Sequence, residues 1–126
     1  MLAMLVSRLK HVEIYDGDLS SVQIGAIFTT ILATPKGELQ LERCDMPHNN
    51  MSEIDPELLA MAVCRLKDVD LSSTRLSSVQ VTTLLTTLLS NEEHQLEFLL
   101  LHQLPGGVDP GLVAAVKEKV NLVCIF

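Results

Sequence analysis

Short stretches in which two apolar residues flank a third recur along the chain at nearly regular spacing. They begin at residues 12, 39, 69, 96 and 123, so that successive stretches are 27, 30, 27 and 27 residues apart. The stretches are Val12–Ile14, Leu39–Leu41, Val69–Leu71, Leu96–Phe98 and Val123–Ile125. A period of two residues is typical of a strand with one buried face. We therefore predict one short strand at each stretch.

The segments between these strands have the period of an amphipathic helix. Apolar residues at i, i+3, i+4, i+7 and i+8 occur twice, as Ile24, Ile27, Phe28, Ile31, Leu32 and as Val81, Leu84, Leu85, Leu88, Leu89. The sequences Ser20-x-x-Gln23 and Ser77-x-x-Gln80 indicate capping boxes at the starts of these helices. Asp55-Pro56 and Asp109-Pro110 are typical starts of two further helices.

Part of the sequence repeats at a constant offset. The segment 19–23 recurs at 76–80 and the segment 8–10 recurs at 65–67, both 57 residues later. A fixed period indicates stacked units, none of which can bury its own apolar face alone. Each period holds two strand–helix units. The predicted units lie near 9–38, 39–65, 66–92 and 93–119, with a partial unit at 120–126 and a preceding helix end at 1–8, together one domain over 1–126.

One unit carries a recognisable motif, Leu66-x-x-Val69-x-Leu71-x-x-Thr74-x-Leu76, followed by paired leucines. It resembles the ribonuclease-inhibitor-like subclass of leucine-rich repeat proteins, which includes the sensor regions of nucleotide-binding leucine-rich-repeat receptors. The resemblance implies an α/β solenoid shaped as a horseshoe arc, with short parallel strands on the concave face and helices on the convex face. It also implies protein recognition rather than a reaction. The usual Asn or Cys is replaced by Gly17, Thr74 and Leu101, whereas Cys44 conforms.

The residues beside the apolar anchors of each strand are expected to point away from the core. This predicts a concave, partner-binding face made of His11, Glu13, Tyr15, Glu38, Gln40, Glu42, Asp68, Asp70, Gln95 and Glu97. Its carboxylates repel one another unless a cation or a basic partner compensates. We therefore expect a basic protein segment as the ligand. The alternative is a solvated acidic face without a specific partner.

The composition supports a soluble, aliphatic protein. The chain has 126 residues, is 48% hydrophobic and only 3% aromatic, and carries a net charge of −7. An acidic surface disfavours nucleic acid and anionic membranes, although it also serves simply to keep an apolar chain soluble. The three cysteines form no paired motif, and no apolar run is long enough to span a bilayer. These features favour a reduced, cytoplasmic protein.

Motifs for catalysis or cofactor binding are missing from the sequence. It contains no phosphate-binding glycine loop and no nucleophile elbow, and its four histidines lack the helical spacing of metal ligands. We expect no enzymatic activity, no cofactor and no metal. A catalytic site grafted onto the repeats is the minor alternative.

The C-terminal end carries a second apolar feature. Leu99, Leu100, Leu122, Cys124 and Phe126 are predicted to form an apolar edge beside the last strand. The sequence also begins and ends within a unit. Two compatible expectations follow: the chain is a piece of a larger repeat receptor, or it forms a homo-oligomer through this edge.

Overall fold

The computed structural model describes residues 10–13, 20–35, 38–47, 49–91, 95–103 and 105–125. Strands and helices alternate along the chain. In order they are β1 (His11–Glu13), α1 (Ser21–Ala33), β2 (Arg43–Asp45), α2 (Pro56–Val63), β3 (Asp68–Asp70), α3 (Ser78–Ser90), β4 (Phe98–Gln103), α4 (Pro110–Lys117) and β5 (Asn121–Ile125). The fold is α/β.

The five strands form one parallel sheet in the order in which they occur along the chain. The register places Val12, Cys44, Val69, Leu99 and Leu122 in one row across the sheet. All five side chains are buried. Parallel neighbours need a crossover connection, and the helices provide it after each of the first four strands. An irregularity between Leu100 and His102 shifts the pairing of β4 with β5.

The predicted helix starts are confirmed. Ser20 and Ser77 each accept a hydrogen bond from the backbone of the glutamine three residues later, whose side chain accepts one from the serine backbone. These capping boxes satisfy backbone donors that no helical carbonyl can reach. Asp55 and Asp109 cap α2 and α4. Each helix contacts the next one along the chain.

The core is mainly aliphatic, as expected from the composition. Side chains from the sheet row pack in one cluster with residues of the helices, among them Ile24, Phe28, Leu59, Leu84 and Val113. The helices therefore cover one face of the sheet and leave the other face open. Among the described helices, none is long and apolar enough to cross a membrane.

Polar groups also connect neighbouring units. The Gln80 side chain is buried, and its Nε2 donates to the carbonyl oxygens of Met51 and Ile54, both at 2.8 Å. Arg65 donates to the carbonyl of Leu32 at the end of α1, and Lys119 donates to that of Leu89 at the end of α3. These bonds satisfy carbonyls left open in loops and at helix ends.

Two strand predictions are wrong in position. The stretch Leu39–Leu41 is not a strand, because β2 lies at Arg43–Asp45 and Val12 pairs with Cys44. The stretch Leu96–Phe98 overlaps β4 only at Phe98. Leu41 and Leu96 are both buried ahead of their strands, in the position of Leu66. Leu39 and Leu41 show the alternation expected of a strand, but they lie in the irregular segment that leads into β2.

The position of Cys44 is a related correction. Cys44 is buried in the middle of β2, where the other strands have Val or Leu, rather than in the loop that follows a strand. Asn49 lies in that loop and is buried; its Nδ2 donates to the carbonyl of Met46. Thr74 bonds to the carbonyl of Leu71 in the same way. The motif therefore runs Leu41-x-x-Cys44-x-Met46-x-x-Asn49-x-Met51 in this unit.

Candidate functional site

The sheet presents one face that the helices do not cover. Because side chains alternate along a strand, the neighbours of the buried row point to this side. They are His11 and Glu13 of β1, Arg43 and Asp45 of β2, Asp68 and Asp70 of β3, and Phe98 and Leu100 of β4. We call this set of residues the open face.

The open face carries more negative than positive charge. The register aligns Glu13, Asp45 and Asp70 in one row across three strands. Neighbouring strands lie about 4.8 Å apart, so that these carboxylates repel one another. A second row of the open face joins His11, Arg43 and Asp68. Arg43 is the only lysine or arginine of the open face.

Asp45 is the most deeply buried of these carboxylates, with 5% of its surface exposed. Its Oδ2 lies 3.0 Å from Nε of Arg43 and 3.1 Å from Nε2 of His11. The same histidine nitrogen lies 3.1 Å from Oε1 of Glu13. Arg43 therefore compensates the Asp45 carboxylate. Among the described side chains, no cation forms an ion pair with Asp68 or Asp70, although Asp70 accepts a hydrogen bond from the backbone N–H of Ser72.

The side chains of His11, Glu13 and Asp45 converge closely enough to hold a metal ion. Their possible ligand atoms all lie within 4.8 Å of one another. They come from two strands, so the sequence spacing could not reveal them. The guanidinium of Arg43, bonded to the same Asp45 oxygen, opposes a second cation here. The ion pair between Arg43 and Asp45 and the contacts of His11 with Asp45 and Glu13 account for this approach without a metal.

The open face becomes apolar toward β4. Phe98 and Leu100 are half-buried there and pair in register with Asp68 and Asp70. Together with Arg43 and Asp45 they line a shallow depression of about 450 Å³. One surface thus combines an aromatic and an aliphatic side chain with two carboxylates, Asp68 and Asp70, that have no cationic partner within the described part of the chain.

Four of the residues predicted to bind a partner lie together on the open face: His11, Glu13, Asp68 and Asp70. Glu42 and Glu97 lie one residue before β2 and β4 instead. Backbone hydrogen bonds join Lys10 to Glu42, Glu42 to Lys67 and Lys67 to Glu97, so these four residues form one row across the strands. Lys67 Nζ lies 3.7 Å from Glu42 Oε1. The predicted carboxylates Glu42 and Glu97 thus lie in a row where acidic and basic residues alternate.

The remaining predicted residues have other positions. Glu38 and Gln40 are exposed in the segment before β2 and do not belong to a strand. Gln95 is exposed before β4. Tyr15 lies outside the described residues. The open-face residues missing from the predicted partner-binding set are Arg43, Asp45, Phe98 and Leu100, the last of which was predicted for the apolar edge instead. The motif of residues 41–51 was the signal that would have placed Arg43 and Asp45.

Two residues of the predicted apolar edge belong to the core. Leu99 has 0% and Leu122 6% of its surface exposed, because both lie in the buried row of the sheet. Their assignment to an exposed edge is therefore wrong. Leu100 is half-buried on the open face. The side chain of Cys124 and the whole of Phe126 lie outside the described residues.

The two described thiols are poorly suited to nucleophilic chemistry. Burial and, as a smaller cause, the neighbouring Asp45 carboxylate together raise the pKa of Cys44 to about 12. Burial also raises the pKa of Cys64, against the opposing effect of a hydrogen bond with Asn91. A protonated, buried thiol is a weak nucleophile and an inert core group.

Comparison with known proteins adds no further constraint. The chain matches no protein-family model, no curated protein and no solved structure. The open face and its surroundings are therefore the basis for a functional proposal.

Proposed function

We propose that this protein is a leucine-rich-repeat solenoid that binds a protein partner through its open face, without catalysis. Three observations support the architecture. The sheet order follows the chain, the 57-residue repeat coincides with the offset from Val12 to Val69 in the buried row, and Asn49 and Thr74 satisfy loop carbonyls at equivalent positions. Such stacking produces an extended surface on the strand side.

The chemistry of the open face selects the kind of partner. Asp68 and Asp70 have no cationic partner among the described residues, and Phe98 and Leu100 adjoin them. This juxtaposition is the observation that carries the proposal. It fits a segment that presents Arg or Lys beside apolar side chains. Arginine suits such a site because its stem packs on apolar surface while its head group pairs with carboxylates.

The proposal includes a cytoplasmic location. Cys44 and Cys64 are both free, buried thiols. Unpaired cysteines in the core are compatible with a reducing compartment.

Selection of peptides from a random phage-displayed library tests this function. Enriched sequences are expected to combine basic and apolar residues. The affinity of a selected peptide is then measured for the double variant Asp68→Asn, Asp70→Asn. We expect it to fall about tenfold, because two exposed ion pairs are each worth up to about 1 kcal/mol.

A matched control separates local from overall charge. Glu53→Gln with Glu57→Gln removes the same charge from exposed positions in and before α2, outside the open face. This control is expected to retain the affinity. Equal losses in the two double variants, or selection of acidic peptides, would contradict recognition at the open face.

A further inference from the structure

A second concavity lies where the helices end and the strands begin. It has a volume of about 310 Å³ and is lined by Leu32, Leu39 and Met61 on its apolar side and by Arg65, Lys67 and Glu42 on its polar side. This size falls at the lower end of the range of small-molecule sites, about 300–1,000 Å³. None of these residues belongs to the open face.

Arg65, which lines this cavity, has one donor that no acceptor among the described residues reaches. Its Nη1 donates to the carbonyl oxygens of Ile31 and Leu32 at the end of α1. Its Nη2 is buried and has no hydrogen-bond partner among the described residues. A buried donor without a partner is costly, so an acceptor that reached it would be bound favourably.

The charges around the cavity decide the class of ligand. Arg65 and Lys67 contribute two positive charges and Glu42 one negative charge. The ends of α1, α2 and α3 also adjoin the cavity, through Leu32, Cys64 and Asn91. Each helix C-terminus is equivalent to roughly half a negative charge. These contributions roughly cancel, which favours neither an anion nor a cation.

We infer that this cavity binds a small uncharged molecule with a carbonyl group and a short apolar chain, such as a simple aliphatic amide. The carbonyl oxygen accepts a hydrogen bond from Nη2 of Arg65, and the chain packs against Leu32, Leu39 and Met61. Nη2 is buried, so the carbonyl reaches it only after a local rearrangement of the side chains that line the cavity, one of which is Met61. Met61 is 54% exposed and unbranched, and such a side chain changes conformation easily.

Ligand titrations followed by protein NMR test this inference with three probes of equal chain length. Hexanamide is neutral, hexanoate is an anion and hexylammonium is a cation. Hexanamide is expected to bind most tightly and to shift the amide signals of residues 64–67. Tighter binding of either charged probe, or hexanamide shifts confined to other regions, would overturn the inference.

Variants of the lining residues locate the site. Arg65→Met keeps the apolar stem but removes the donors, and we expect it to weaken hexanamide binding about fivefold, as the loss of one hydrogen bond of about 1 kcal/mol implies. Because Arg65 also caps α1, Met61→Glu provides a second variant on an exposed helix position. Val79→Glu is its matched control, because Val79 is also exposed but lies at the start of α3 and does not line the cavity. Equal binding by Met61→Glu and Val79→Glu would refute the site even if Arg65→Met fails to fold.

Discussion

Two glutamines at equivalent positions of the repeat have different surroundings, and this difference makes the packing of the units testable. Gln23 and Gln80 are separated by the 57-residue period, and each closes a capping box. Gln23 is exposed, and its side chain accepts one bond, from the N–H of Ser20 at 2.9 Å. Gln80 is 2% exposed, and it also donates to the carbonyls of Met51 and Ile54.

The expected cost of removing each side chain follows from this count of bonds. Gln23→Ala removes the reciprocal bond of one capping box, and its expected cost is about 0.5–1 kcal/mol of unfolding free energy. Gln80→Ala removes three bonds of about 1 kcal/mol each and leaves the Ile54 carbonyl short of a partner, so its expected cost is about 3–4 kcal/mol. The two bonds to the preceding loop account for most of the difference.

Urea unfolding of the two variants, followed by circular dichroism, measures this difference. The midpoint should fall much further for Gln80→Ala than for Gln23→Ala, with a similar dependence on denaturant. Equal destabilisation would refute the reasoning. It would mean that the bonds between Gln80 and the loop at residues 51–54 contribute nothing beyond the cap.

Two further predictions concern the sheet. Leu99→Ala should lower the free energy of unfolding by about 2–5 kcal/mol, because Leu99 lies in the buried row. Leu100→Ala should cost less than half as much. Thermal unfolding compares the two variants, and equal losses would contradict the register of β4. Cys44 should resist alkylation by iodoacetamide at pH 8.5 in the folded protein and react in urea. Below the unfolded pKa of about 8.5 the thiol is protonated in both states, whereas between that pH and about 12 only the folded state keeps the proton. Stability should therefore be highest below about pH 8.5 and fall as the pH rises over this interval. Rapid alkylation of the folded protein would contradict the burial of Cys44.

The helices could be predicted from the sequence with little error, but the strands could not. The starts of all four described helices depend on local capping, which neighbouring residues determine. A strand of three residues carries little information of its own. In β2 the only apolar residue is Cys44, flanked by Arg43 and Asp45, whereas Leu39 and Leu41 show the alternation expected of a strand. The burial of Leu41 before the strand, which decides the register, arises from packing between units.

The composition of the open face was harder to predict for the same reason. Moving β2 from Leu39–Leu41 to Arg43–Asp45 replaces Gln40 by Asp45 in the row with Glu13 and Asp70. It also places Glu42 beside Lys67, where the charges compensate. The contact between His11 Nε2 and Asp45 Oδ2 joins residues 34 positions apart. Asp68 and Asp70 were placed correctly because the unit that contains them has the most regular motif.

The location of a bound basic peptide on the protein tests the central proposal most directly. We would record the amide chemical shifts of the isotope-labelled protein while adding a peptide obtained by phage selection. The proposal predicts that the largest changes occur in β2, β3 and the start of β4, where Arg43, Asp68, Asp70 and Phe98 lie on the open face. Changes confined to the helices α1–α4, with the strands unaffected, would contradict it.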